Sequence, residues 1–187
     1  MHLSRRSFLK KTTSAFLATL LPPKLLIAKA LPDSKDENLI KKISLYNCHT
    51  GQSLKDFVFF EKGEHIKDSL KSLDKFFKDH RTSEVKPLDP TLYDLLWQLA
   101  SKLETTKSIE IISGYRSAST NKALCEKSKG VAKNSQHVLG KAIDLMIPSH
   151  SIKTIVKAAK SLKLGGVGGY KDFVHVDTAR IRSWGIA

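Results

Sequence analysis

The segment Ser135-Gln136-His137-Val138-Leu139-Gly140-Lys141-Ala142-Ile143-Asp144 contains the pattern that determines the interpretation of this sequence. It places a histidine in a predicted loop and an aspartate, seven residues later, on a predicted strand. Gly140 permits a sharp turn between the two, and Ala142 keeps the space beside that turn small. Imidazole and carboxylate groups are both common ligands of zinc. The segment therefore supplies two candidate metal ligands, His137 and Asp144.

A second segment, Asp172-Phe173-Val174-His175-Val176-Asp177, supplies a third candidate ligand. His175 lies in an apolar run typical of a strand, where a polar side chain needs a partner or a function. Two histidines and one aspartate give three protein ligands, as in many catalytic zinc sites, which leave a fourth position to water.

Each of these residues also has an ordinary structural interpretation. A single histidine in a strand is more often a satisfied core residue than a ligand, and Asp144 could cap a helix or pair with a lysine. The other histidines in polar stretches are interpreted as surface residues: His49, His65, His80 and His150.

The hydrophobic periodicity around these segments predicts an α+β fold. Strands are expected at 43–46, 57–60, 109–112, 141–147 and 173–176, the first two forming a hairpin. Helices are expected at 66–80, from Asp89-Pro90 to 103, at 121–129, and from Ser149 or Ser151 to about 162. This order indicates a small antiparallel sheet that carries the metal site and packs with helices.

The glycine-rich run at 165–169 is expected to be a flexible crossing. It is not a phosphate-binding loop, because no Gly-Lys-Ser or Gly-Lys-Thr follows it. The run either lets the backbone pass close to a site or forms a turn.

The residues from Ser135 to Asp144 match the motif Ser-x-His-x-x-Gly-x-Ala-x-Asp at all five fixed positions. This motif resembles the zinc signature of the D-Ala-D-Ala peptidases of the VanX/VanY and hedgehog-like superfamily. The surrounding segments are similar to the YcbK-like murein endopeptidases, the former DUF882 group: 44–47, 49–51, 79–81, 113–117, 130–133 and 173–178. The resemblance covers roughly residues 41–184.

The resemblance implies that His137, Asp144 and His175 bind one Zn²⁺ ion. It also implies that Arg116 faces the site, where its guanidinium can hold a peptide carboxylate or a polarised carbonyl.

The general base is left open between two aspartates. In the VanX/VanY branch, a glutamate three residues before the last histidine has this role, and here that position is Asp172, which is one methylene shorter. Asp177 lies two residues beyond His175, on the same side of the strand. It is the alternative base, or else a partner that orients a metal ligand.

Residues 1–30 have the features of a twin-arginine-type signal peptide. Ser4-Arg5-Arg6-Ser7-Phe8-Leu9-Lys10 precedes an apolar run at 12–21, and Ala28-Lys29-Ala30 offers a cleavage point. Ten helical residues reach about 15 Å, half of a hydrocarbon core. We therefore expect export to the periplasm and no stable membrane insertion after cleavage. A flexible lead-in at 31–40 and a single zinc peptidase domain at 41–187 are expected to follow.

The charge of the sequence is strongly positive, with 32 basic and 18 acidic residues and a net +14. Removing residues 1–30, which hold six basic residues and no acidic one, leaves 26 basic and 18 acidic residues, a net +8. No block of consecutive positive charges remains, which argues against a nucleic-acid partner. The balance suits an acidic polymer such as the cell wall.

An exported location also permits disulfide formation between the two cysteines, Cys48 and Cys125. Because they lie in a predicted strand and a predicted helix, two buried thiols are expected instead.

The resemblance implies a zinc metallopeptidase that hydrolyses peptidoglycan stem-peptide crosslinks, a murein endopeptidase or a D-Ala-D-Ala-type carboxypeptidase. The bond that is cut is left open between a terminal D-Ala, a D-Ala–diaminopimelate crosslink and an L,D bond. The alternative is a zinc-containing module that binds peptidoglycan without cutting it, and the missing glutamate favours this alternative. The sequence does not specify an oligomeric state.

Overall fold

A computed structural model of the protein describes residues 38–128 and 130–185. The predicted signal peptide and residues 31–37 of the predicted lead-in lie outside the described residues. At the start of the described region, Leu39 is buried in the hydrophobic core. None of the described helices has the length and hydrophobicity needed to cross a membrane.

The described chain forms eight strands and four helices, which confirms the α+β class. The strands are β1 (Lys41–Asn47), β2 (Ser53–Glu61), β3 (Glu64–His65), β4 (Ile109–Ser113), β5 (Ala142–Met146), β6 (Gly166–Gly169), β7 (Val174–Asp177) and β8 (Arg182–Gly185). The helices are α1 (Lys67–Phe76), α2 (Thr91–Lys102), α3 (Ala118–Lys127) and α4 (Ile152–Leu162).

All eight strands belong to one sheet, in the order β3-β2-β1-β4-β5-β7-β6-β8. The prediction of a small antiparallel sheet is wrong in this respect, because β1 pairs with β4 in parallel and β6 pairs with β8 in parallel. A parallel pair needs a crossover connection, and the chain between β1 and β4, which includes α1 and α2, provides one. The stretch β4-β5-β7-β6 is antiparallel throughout.

The two faces of this antiparallel stretch differ in chemistry because side chains alternate along a strand. On β5 and β7 one face carries buried aliphatic side chains of the core: Ile143, Leu145, Val174 and Val176. Helix α4 contacts β6 and β7, and it also contacts α2, which packs on β1. The opposite face of β5 and β7 carries Asp144, His175 and Asp177.

Two of the four described helices, α3 and α4, begin at a serine whose side chain caps the helix. Ser151 caps α4, as one of the two predicted alternatives, and its side chain accepts a hydrogen bond from the Thr154 N–H. Helix α3 begins at Ala118, three residues before its predicted start, because Ser117 caps it in the same way. Helix α1 ends at Phe76, before the predicted position 80.

The glycine-rich run is a strand and not the flexible crossing that we predicted. Residues Gly166–Gly169 form β6, are all buried, and pair with β7 on one side and β8 on the other. Neighbouring strands on both sides satisfy the backbone hydrogen bonds, so the run is ordered although Val167 has its only side chain.

Both cysteines are free, but neither is buried. Cys48 follows β1 and is exposed, and Cys125 on α3 is half-buried. The expectation of free thiols is confirmed, and the expectation of burial is wrong.

Asp79, in the loop after α1, ties that loop to the start of α3. The carboxylate is 1% exposed and accepts hydrogen bonds from the Ser117 N–H at 2.8 Å and the Arg81 N–H at 2.9 Å. Burial alone would raise the pKa of Asp79, but the hydrogen bonds from Thr120, Ser117 and Arg81 hold it well below its usual range.

We expect Asp79→Ala to destabilise the fold by about 2–3 kcal/mol at pH 7, because the buried Ser117 N–H and the part-buried Arg81 N–H lose a charged acceptor. A carboxyl with a depressed folded-state pKa contributes stability above its unfolded pKa of about 3.9, and loses that contribution as the pH falls. The difference in free energy of unfolding between wild type and Asp79→Ala, measured with urea, should therefore be smaller at pH 3 than at pH 7. The exposed Asp68→Ala control should cost less than about 0.5 kcal/mol. If Asp79→Ala lost the same free energy of unfolding at both pH values, the ionised Asp79 carboxylate would not be the stabilising group.

Candidate metal centre

Strands β5 and β7 bring Asp144 and His175 face to face. The two residues are direct partners in the antiparallel register, so their side chains emerge side by side on the same face. The Asp144 Oδ1 atom lies 2.9 Å from the His175 Nδ1 atom. Both residues are buried, at 3% and 8% exposure.

His137 reaches the same point from the loop before β5. Its Nδ1 lies 2.7 Å from the Gly114 carbonyl oxygen, which fixes the ring orientation. The loop turns back at Gly140, which has a φ of 69°. A Cβ atom there would also lie 2.9 Å from the Pro87 carbonyl oxygen, so this turn requires glycine.

Three candidate ligand atoms converge as a near-equilateral triangle. The His137 Nε2 atom lies 3.1 Å from the Asp144 Oδ1 and 3.2 Å from the His175 Nδ1, and the third side is 2.9 Å. A tetrahedral zinc ion with ligands at about 2.0 Å places its ligands about 3.3 Å apart. The triangle is slightly tighter than this, and small side-chain movements would accommodate the ion.

The hydrogen bonds behind the two imidazoles show what belongs inside the triangle. A carbonyl and an ionised carboxylate only accept hydrogen bonds, so His137 donates from Nδ1 to Gly114, and His175 donates from Nε2 to Asp177 at 3.1 Å. The inward nitrogens of the neutral rings then present lone pairs beside a carboxylate oxygen. Three lone pairs at this distance repel one another unless a positive charge lies between them, and the donor set fits a divalent metal ion.

The electrostatics of the three groups agree with this interpretation. Burial lowers the pKa of His137, which keeps its imidazole neutral. Burial would raise the pKa of Asp144, but His137 and His175 outweigh it and hold the pKa well below its usual range. Burial would lower the pKa of His175, but hydrogen bonds with Asp144 and Asp177 raise it. A proton on His175 and a metal ion are thus competing ways to neutralise the cluster.

Arg116 lies beside the triangle and lines the groove above it. One guanidinium nitrogen, Nη2, donates to the Asp144 Oδ2, and Nε donates to the Ser113 hydroxyl at 2.9 Å. The guanidinium therefore holds the outer oxygen of Asp144, which leaves the inner oxygen directed at the imidazoles.

Asp177 lies behind His175, away from the groove. It is fully buried, accepts from the His175 Nε2–H, and forms an ion pair with Arg182. Burial would raise its pKa, but His175, Arg182 and two backbone N–H groups hold the pKa well below its usual range.

Asp172 occupies a different environment. It is exposed at the turn before β7, and it does not line the groove over the three converging ligands.

The other histidines interpreted as surface residues also lie outside the triangle. His49 is exposed and stacks on the half-buried His80, with ring centroids 3.8 Å apart, whereas His65 contacts Asp94 and His150 contacts Ser149.

The triangle lies at the floor of a groove of about 380 Å³. One wall is the loop that leads to His137, and includes Ser128, Val131, Ala132, Asn134 and Gln136. The other wall is aromatic and basic, and includes Tyr170, Phe173, Arg182 and Trp184. This second wall was not predicted from the sequence as part of the site. Alternating Arg182 and Trp184 after a glycine-rich strand was the available signal.

Residues 35–184 match the family model described as peptidoglycan L,D-endopeptidase MepK. The chain belongs to this family of M15 peptidases. The peptidoglycan L,D-endopeptidase MepK of Escherichia coli K12 is 44% identical over 144 residues, which cover 76% of this chain and 79% of the relative. The probable peptidoglycan L,D-endopeptidase MepK of Haemophilus influenzae is 40% identical over 145 residues, covering 76% and 77%.

The MepK family match agrees with the resemblance drawn from the zinc-type motif. It spans all the elements that build the triangle and both walls of the groove. The M15 peptidases are metallopeptidases, and the His137, Asp144 and His175 cluster gives this member a place for a metal ion.

Proposed function

We propose that this chain is a zinc-dependent murein endopeptidase that hydrolyses L,D bonds in peptidoglycan crosslinks. The proposal rests above all on three lone-pair-bearing atoms, from His137, Asp144 and His175, that converge at the floor of an open groove. The MepK family match and the two L,D-endopeptidase relatives support the choice of reaction and bond. No comparison favours the module that binds peptidoglycan without cutting it.

The residues of the chain hold the proposed ion from three directions. The His137 Nε2, the Asp144 Oδ1 and the His175 Nδ1 are its ligands, and the groove side stays open to a peptide. When bound there, zinc acts as a Lewis acid toward a carbonyl oxygen and lowers the pKa of water to about 7.

Arg116 is proposed to act both on Asp144 and on the substrate. By holding the Asp144 Oδ2, the guanidinium fixes which oxygen faces the ion. Because Arg116 also lines the groove, its positive charge stabilises negative charge that develops on the substrate oxygen.

Asp177 is proposed to be a positioning residue. It accepts the His175 Nε2–H, which fixes the tautomer that leaves Nδ1 free for the ion. Of the two aspartates predicted as general base, neither lines the groove, so we expect neither to contact the attacking water directly.

The proposed substrate fits the predicted location and charge. The twin-arginine-type leader would place the mature chain in the periplasm, beside peptidoglycan. The net charge of +8 after removal of residues 1–30 would favour association with a polymer rich in carboxylates.

Defined muropeptides test the reaction and the bond together. We expect zinc-loaded protein to cut dimers joined through an L,D bond, with product masses that locate the cleaved bond. Dimers joined through a D-Ala–diaminopimelate bond, and a monomer ending in D-Ala-D-Ala, should stay intact. Preferential cleavage of either of those would contradict the L,D assignment. Binding of the L,D dimer without any product would favour the non-catalytic module.

A further inference from the structure

Strand β6 places two glycines on the face of the sheet that carries the metal ligands. Gly166 is the direct register partner of Arg182 on β8, and Gly168 is the direct partner of Trp184 on β8 and of His175 on β7. Two side chains of β8 can therefore reach across β6 toward β7, because no side chain of β6 stands between them.

Arg182 uses the gap at Gly166 to reach Asp177. Its Nη1 donates to the Asp177 Oδ1 at 3.0 Å, and its Nη2 donates to the Asp177 Oδ2 at 2.6 Å. A Cβ atom on residue 166 would lie 2.3 Å from the Arg182 Nη1 and 2.5 Å from the Asp177 Oδ2. This two-point ion pair therefore depends on glycine at that position.

Asp177 needs this partner because its carboxylate is fully buried. A buried charge without a countercharge is costly, and without Arg182 the carboxylate would turn away from this position. The Gly166 N–H and the Ala179 N–H, each at 2.9 Å from Oδ1, fix one oxygen. The other oxygen, Oδ2, is shared between Arg182 and the His175 Nε2–H.

We infer that Arg182 is a positioning residue for the metal centre, acting through Asp177 on His175. The ion pair holds the Asp177 carboxylate in place, Asp177 accepts the His175 Nε2–H, and the His175 Nδ1 lone pair then points at the ion. Strand β8, at the edge of the sheet, thereby supports a ligand that lies two strands away. The inference rests on the proposed metal centre and adds a residue that does not itself touch the metal.

Zinc affinity of the full chain, measured by competition with a chromophoric chelator, tests the inference. We expect Arg182→Gln to weaken zinc binding by about 10- to 100-fold, the usual range for the partner of a ligand. Arg182→Lys keeps the charge but loses the two-point geometry, so its zinc affinity should lie between those of Arg182→Gln and wild type. Arg180→Gln removes an equal charge from an exposed neighbour, and should stay within about twofold of wild type.

A double-mutant cycle shows whether Arg182 acts through Asp177. Asp177→Asn with Arg182→Gln should bind zinc no more weakly than Asp177→Asn alone. The visible spectrum of the cobalt-substituted protein should change in Arg182→Gln and Arg182→Lys, and stay as in wild type in Arg180→Gln. If Arg182→Gln does not fold, the affinity and the cobalt spectrum of Arg182→Lys carry the test.

Two results would overturn the inference while leaving the metal centre standing. The first is wild-type zinc affinity in both Arg182 variants. The second is a double variant whose fold-loss of zinc affinity equals the product of the losses in Asp177→Asn and Arg182→Gln. A wild-type chain that binds no zinc would instead refute the proposed metal centre, and this inference with it.

Discussion

His137→Ala is expected to abolish hydrolysis of L,D-crosslinked muropeptides, with a fall in kcat/KM of at least about 1,000-fold. The substitution removes one of three ligands, and leaves the buried carboxylate of Asp144 facing a single imidazole. Metal analysis after dialysis should show that the variant retains far less zinc than wild type. Circular dichroism should show that the sheet and helices persist.

The matched control is His150→Ala. His150 contacts Ser149 at the turn before α4, outside the triangle, so activity and zinc content should match wild type. Cleavage by His137→Ala at the wild-type rate would refute metal-dependent hydrolysis at this site.

Asp177→Asn is expected to have the second largest effect. An amide oxygen can still accept the His175 Nε2–H, but the amide carries no charge to pair with Arg182. We therefore expect zinc affinity to fall by about 10- to 100-fold, and kcat/KM to fall with it at limiting zinc. Saturating zinc should restore much of the activity, because Asp177 does not line the groove.

Asp172→Asn is the comparison that separates the two predicted base residues. Asp172 is exposed and lies outside the groove, so kcat should stay within about threefold of wild type. A loss of kcat by 100-fold or more at saturating zinc, with zinc affinity unchanged, would instead identify Asp172 as a catalytic base.

The convergence of the three ligands could be predicted from local sequence to a large extent. Asp144 and His175 each interrupt an apolar strand on its polar face, and the β5–β7 register makes them neighbours. His137 and its turn at Gly140 were recognisable through the motif and its resemblance to zinc peptidases. Tertiary packing adds the Gly114 carbonyl, which sets the ring orientation and has no signal in the motif.

The sheet topology and the second groove wall could not be predicted in the same way. A run of glycines has no side-chain alternation, so β6 carried no strand pattern, and its partners β7 and β8 are defined only by long-range pairing. The same absence of side chains makes room for Arg182 and Trp184. Similarly, the two-residue spacing placed Asp177 on the same side of the strand as His175. It did not reveal that the carboxylate is enclosed by Arg182 and backbone N–H groups.

The most direct measurement for the metal centre is anomalous diffraction at the zinc edge from crystals of the zinc-loaded protein. We predict a single strong peak in the groove floor, about 2.0–2.2 Å from the His137 Nε2, an Asp144 carboxylate oxygen and the His175 Nδ1. A zinc peak held by other side chains, or none at this position in crystals of protein shown to contain stoichiometric zinc, would contradict the account.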